Sequence, residues 1–163
     1  MGRSLFVSIL IAILSVAAAH AQQADTDATA AIKLMLRAHD DAFNKHDVAT
    51  VMGLYSPRPD TLLLGTGPGE RWVGKAEIQD AYKHFFADFD AGSLTTNCTW
   101  TTGEVKGPIA WLAAMCQVTD YLKNVKREYA LNLSVVMEKE DGAWRFRIMH
   151  FSNLASGQPP LQN

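Results

Sequence analysis

The 163-residue chain has only two cysteines, no excess of cations and, past residue 21, no long apolar run. Each shortage excludes something. With 15 Lys and Arg against 17 Asp and Glu, the chain lacks the basic surplus of nucleic-acid binders. Without a second apolar segment, nothing after the N-terminal run is expected to hold the chain in a membrane. No cysteine follows that run to carry a lipid, and Phe6 stands where a myristoylation signal needs Ser or Thr. Cys-x-x-Cys, His-Glu-x-x-His and a serine nucleophile elbow are all missing. The Gly65-Thr66-Gly67-Pro68-Gly69 loop lacks the Gly-Lys-Ser/Thr ending of a phosphate cradle and reads as a tight turn.

What is present begins with Arg3, an apolar run from Leu5 to Ala19, and Ala19-His20-Ala21. A basic start, a short apolar core and small residues at the −3 and −1 positions predict a signal peptide over residues 1–21. Cleavage would remove one cation, leave residues 22–163 with a mildly acidic balance, and deliver them to the periplasm or beyond the cell. Residues 22–28 read as a linker, and 155–163, with Gly157-Gln158-Pro159-Pro160, as a disordered tail.

Between them lies one domain. Ile32, Met35, Leu36, His39, Ala42 and Phe43 recur at helical spacing from Thr29 to His46. Asp47 is placed to cap a second, short helix through Leu54, stopped by Ser56-Pro57-Arg58-Pro59. Short β-like runs at 61–64 and 70–73 precede a third helix from Gly74, with Ile78, Ala81, Tyr82, Phe85, Phe86 and Phe89 on one face. Beyond Leu94 the period is two, in four stretches around Lys106-Gly107-Pro108 and Asp141-Gly142, the latter a strong hairpin signal. In the last stretch Trp144, Phe146, Ile148, His150 and Ser152 are expected to share the inward face. Helices followed by a meander predict an α+β domain: a curved mixed or antiparallel sheet, shaped as a cone, with about three helices on its concave side. The stretch 109–122 is apolar on both faces, so its outer side is expected to meet a second copy of the chain.

Cys98 and Cys116 are equally far from Gly107, which permits cross-strand pairing. A three-residue turn keeps them on one face; a Gly107-Pro108 turn puts them on opposite faces. A disulfide and two buried thiols both remain open.

Several segments carry a resemblance. Ala42-Phe43-Asn44-Lys45-His46-Asp47 with Leu54-Tyr55, the stretch Gly65 to Lys75, Gly107-Pro108-Ile109-Ala110-Trp111, and Asp141-Gly142-Ala143-Trp144-Arg145-Phe146 with His150-Phe151-Ser152 stand in order over 29–154. In this order they resemble the SnoaL-like branch of the nuclear transport factor 2-like superfamily. The resemblance implies the cone, but the superfamily includes isomerases, cyclases, dehydratases, ring-hydroxylating subunits and non-enzymatic binding or assembly domains. Asn132 stands where many relatives carry arginine, so an anionic ligand is not implied.

The candidate residues follow from the cone. His150 and His39 are expected to look into a common chamber, where an imidazole can act as acid, base or donor. Tyr55, Trp72, Tyr82, Trp100, Tyr129 and Ser152 are expected to line it. Asp40 or Asp120, if buried, could serve as a general base. No metal and no cofactor are expected. The expected function is export and binding of a small apolar or weakly polar molecule, with an isomerase, cyclase or dehydratase, or a pocketless assembly domain, as alternatives.

Overall fold

The computed structural model describes residues 26–153; the expected signal peptide and tail lie outside them. Helix α1 is already formed at residue 26 and runs to 44. Residues 26–28, expected as linker, are therefore helical, and Ala28 packs against the core. The expected stripe holds: Ile32, Met35, His39 and Ala42 are buried. His46 turns the chain with φ 58. Asp47 then caps α2 (Val48–Leu54), its carboxylate accepting from the Thr50 N–H at 3.0 Å.

Strand β1 (Leu62–Leu64) leads into the glycine loop and β2 (Arg71–Val73). The loop wraps the Glu70 carboxylate, which accepts from the Gly67 N–H at 2.7 Å. A Cβ on Gly65 would stand 2.2 Å from Glu70 Oε2. An acid thus occupies the turn where a phosphate cradle would hold an anion. Helix α3 spans Gly74–Phe85, shorter than its apolar pattern, although Phe89 beyond it is still buried. Four long strands follow: β3 (Thr95–Lys106), β4 (Ile109–Leu122), β5 (Val125–Glu140) and β6 (Ala143–Ser152).

The sheet has six strands in the order β2-β1-β6-β5-β4-β3. All pairs are antiparallel except β1 with β6, so the sheet is mixed, and it is not closed. The helices cover one side, and Tyr55, Tyr82, Phe146, Leu63, Ile78, Met137 and Met149 fill the space between, almost wholly buried. Each such side chain contributes roughly 1.5–3 kcal/mol by leaving water.

Two bulges decide which side chains face which way. The β3–β4 turn is the two-residue one, with Lys106 opposite Ile109. That turn alone would put the cysteines out of phase. Thr99 is inserted as an extra residue between the Cys98–Cys116 and Trp100–Met115 pairs, which restores the phase. The two sulfurs are bonded.

The second bulge overturns a sequence reading. Met137 pairs with Phe146 and Val136 with Ile148, so Arg147 is the extra residue in β6. Before it, Trp144 and Phe146 point to the core. After it, Met149 is buried and Phe151 packs on the core, while Ile148 is 37 % exposed. His150 and Ser152 therefore lie on the outer face, opposite Ser134 and Asn132. A strict period of two cannot anticipate an inserted residue.

Candidate functional site

The interior holds a hydrogen-bonded chain of side chains from three helix-linked segments. From α1, His39 Nε2 lies 2.9 Å from the Tyr82 hydroxyl of α3. That hydroxyl lies 2.7 Å from the hydroxyl of Tyr55, the residue ending α2. Tyr55 Oη is in turn 3.2 Å from Met149 Sδ on β6. At the other end His39 Nδ1 faces Asp40 Oδ1 at 3.4 Å. Each hydroxyl has one proton to give. With a neutral imidazole whose Nδ1–H points to Asp40, Tyr82 donates to Nε2 and Tyr55 donates to Tyr82. Burial pushes both phenols well above the usual tyrosine range; for Tyr55 the neighbouring Tyr82 adds to this, and for Tyr82 the bond from Tyr55 opposes it. Both stay protonated as donors.

Aromatic rings close around this chain. The His39 ring stacks on Phe43 at 5.9 Å and meets Phe146 edge-on at 5.4 Å. No common chamber joins His39 to His150, because the sheet itself stands between them. This corrects the sequence expectation, and its cause is the Arg147 bulge.

The remaining predicted residues are dispersed. Trp72 on β2 packs edge-on against Phe85 at 5.3 Å. Trp100, expected in the pocket, pairs with Met115 and is half-exposed on the outer face. Asp40 projects to solvent. Asp120 is 1 % exposed but fully engaged. Its oxygens accept from Arg127 Nε at 2.7 Å and Nη2 at 2.8 Å, and Oδ2 also accepts from the Tyr129 hydroxyl at 2.9 Å. Tyr129 is pushed up to about 12, first by burial and then by its bond to Asp120. A carboxylate bound this way ties β4 to β5 and, through Arg127 and the Asp88 carbonyl, to the segment after α3. It is a buried fastening, held by three hydrogen bonds and away from the groove.

The hollow lies elsewhere. A solvent-open groove of about 220 Å³ runs between α1 and the β3–β4 hairpin. Ile32, Leu36, Val105, Leu112 and Met137 form its apolar walls, and Lys33 lies at its edge. Gly103 also lines it, where a Cβ would stand 2.5 Å from the Trp111 carbonyl oxygen. None of the eight expected pocket residues lines the groove. Its apolar walls were visible in the sequence as core positions, and nothing in their spacing distinguished a gap from a filled interior. Among the described residues no three His, Cys, Asp or Glu side chains cluster as a metal site.

The outer face is the other unusual surface. Trp100, Ile109, Trp111, Met115, Tyr121 and Ile148 are each 37–50 % exposed there. Trp111 and Ile148 share one row of the register and Trp100 and Met115 pair in another, with Thr102, Ala113, Ser134 and His150 between them.

A six-stranded open sheet covered on one side by three helices is the nuclear transport factor 2-like fold. The chain belongs to the SnoaL-like domain family, whose model matches residues 32–156. No curated protein matches it. Among solved structures, it is similar to a nuclear transport factor 2-like superfamily protein from Salmonella enterica serovar Typhimurium, with TM-score 0.68 and 17% identity over 81% of this chain and 94% of that one. A ketosteroid isomerase-like protein from Erwinia carotovora atroseptica gives TM-score 0.63 and 23% identity over 77% and 95%. A candidate dehydratase of the same fold family from Streptomyces avermitilis gives TM-score 0.67 and 14% identity over 81% and 99%. At these identities the likeness concerns the fold alone.

Proposed function

We propose that this is an exported protein that binds a small, mostly apolar molecule in the groove between α1 and the β3–β4 hairpin, and that it works as a homodimer through its outer sheet face. The observation that carries the ligand is the groove itself: an open, apolar-walled space beside a filled interior. At about 220 Å³ it is smaller than sites for drug-sized ligands, which begin at roughly 300 Å³. It suits a compact molecule or one end of a longer one. Export is supported by the signal-like residues 1–21 and by the Cys98–Cys116 bond, since disulfides persist in oxidising compartments. The mature protein is expected to begin at Gln22, which N-terminal sequencing of the exported form checks.

A second copy is supported by area. Three rows about 7 Å apart across five strands about 4.8 Å apart span on the order of 500 Å², about two thirds of the roughly 800 Å² per partner of a standard-size interface.

The test of the ligand is titration with an environment-sensitive lipophilic dye, with displacement by a panel of apolar metabolites. Wild type should bind saturably, and Leu36→Trp, which fills the groove, should bind at least tenfold more weakly with an unchanged melting curve. Absence of saturable binding by wild type would sink the ligand reading.

One observation favours a second reading. Aromatic rings plug the centre of the cone, as in a domain used only for assembly through its outer face. A protein that dimerises but binds none of the panel would support it. An isomerase or dehydratase would use the Asp40–His39–Tyr82–Tyr55 chain, but none of its four residues lines the groove.

A further inference from the structure

The outer face can be read row by row from the strand register. The central row runs Thr102, Ala113, Ser134, His150, Leu64 and Arg71 across the six strands. The row on one side holds Trp111, Val136, Ile148 and Leu62, with Glu104 at its β3 end; the row on the other holds Trp100, Met115, Asn132 and Ser152. His150 is thus the one titratable side chain in the middle of this face. On β5 it faces Ser134, flanked by Asn132 and Val136; on β1 it lies beside Leu64.

The charges nearest to it give no relief. Arg71, in its own row beyond Leu64, has the same sign as an imidazolium. Glu104 lies three strands away, in the neighbouring row. Glu138 stands two rows off, opposite Arg145, and is in contact with the bulged Arg147 at 3.3 Å. Among the described residues no carboxylate forms a hydrogen bond or ion pair with His150.

We infer that assembly through this face is controlled by the protonation of His150: the neutral ring is accommodated between two copies, and the charged ring drives them apart. This rests on the homodimer reading above. A neutral imidazole can bond Ser134 or a partner group across the interface. A charge taken out of water there carries a cost that no carboxylate of its own chain offsets. Histidine is the side chain whose charge ordinarily changes between about pH 5 and 8, so a comparison across that range reads its protonation. Two copies bring two such rings, so the dependence on pH should be steep.

The experiment is sedimentation equilibrium of the mature chain at pH 7.5 and pH 5.5, with circular dichroism confirming the fold at both. Wild type should be dimeric at pH 7.5, with its dissociation constant rising at least tenfold at pH 5.5. His150→Gln should dimerise at both pH values with less than a threefold change. His150→Lys should be folded and monomeric at both. A wild-type dimer indifferent to pH, or a glutamine variant that keeps the full pH response, overturns the inference and leaves the dimer standing. A wild type that is monomeric at pH 7.5 removes the dimer reading and this inference with it.

Discussion

Arg147 reaches across the end of the parallel β1–β6 pair to donate to the Thr61 hydroxyl, its Nη1 3.0 Å from Oγ1. The same nitrogen donates to Ser56 Oγ at 3.2 Å, Nη2 lies 2.8 Å from Asp60, and Nε lies 3.3 Å from Glu138. Thr61 and Ser56 are wholly buried. The extra residue of the β6 bulge is therefore the one that fastens the loop between α2 and β1. Arg147→Met should keep the length of the side chain and lose these bonds, leaving the buried Thr61 hydroxyl without a donor and Ser56 Oγ with only the Arg58 N–H. A loss of about 3 kcal/mol is expected, read as a lower urea midpoint with an unchanged slope.

The disulfide should matter locally. β3 is an edge strand of the sheet and pairs only with β4. Closing an 18-residue separation is worth about 3 kcal/mol in the chain-entropy account. Cys98→Ser with Cys116→Ser should lower the melting temperature, as should reductant on wild type. Hydrogen exchange should speed up most over residues 95–103.

The polarity of the buried chain gives an ordered pair of effects. Tyr82 is both donor and acceptor, so Tyr82→Phe leaves His39 Nε2 without a donor and Tyr55 with only the Met149 sulfur to accept its proton, and should cost about 2–3 kcal/mol. Tyr55 is the terminal donor, with only a sulfur beyond it, and Tyr55→Phe should cost about 1 kcal/mol. Chemical denaturation of the two variants checks the order; equal losses would contradict the direction of donation.

Stability should fall at both ends of the pH scale for different reasons. His46 is stacked on Phe86 at 4.7 Å, and burial lowers its pKa against the opposing pull of Asp90. Its neutral form is favoured in the fold, so stability is full above about pH 6.5 and is lost as pH drops below that. Tyr129, pushed up to about 12, favours its neutral form as well. Its contribution is complete below pH ~10 and declines as pH rises from there towards 12. Thermal melts between pH 4 and 11 should show both edges; His46→Phe should flatten the acid one, and Tyr129→Phe should remove its own share of the alkaline one, to which the buried Tyr55 and Tyr82 also contribute.

The helices, the capping aspartate, both hairpins and the inward row Leu133, Val135 and Met137 were legible because periodicity and turn chemistry act locally. What was not legible was phase. Thr99 and Arg147 each add one residue to a strand, and nothing in Trp-Arg-Phe-Arg-Ile-Met-His marks the second arginine as the inserted one. A single insertion carried His150 and Ser152 through the sheet, while another brought Cys98 opposite Cys116 despite a turn that should have parted them. His39, Tyr55 and Tyr82 were each identifiable as polar groups among apolar ones. That they would satisfy one another, and so close the interior, depends on contacts 27 to 43 residues apart, which spacing cannot show.

Methionine sulfur is divided between the two sides of the sheet. Met149, 1 % exposed, lies under the Tyr55 hydroxyl, whereas Met115 is 48 % exposed beside Trp100. Peroxide would therefore convert Met115 to its sulfoxide long before touching Met149. The lesion would add a polar oxygen to the apolar outer surface while the aromatic interior stayed chemically intact.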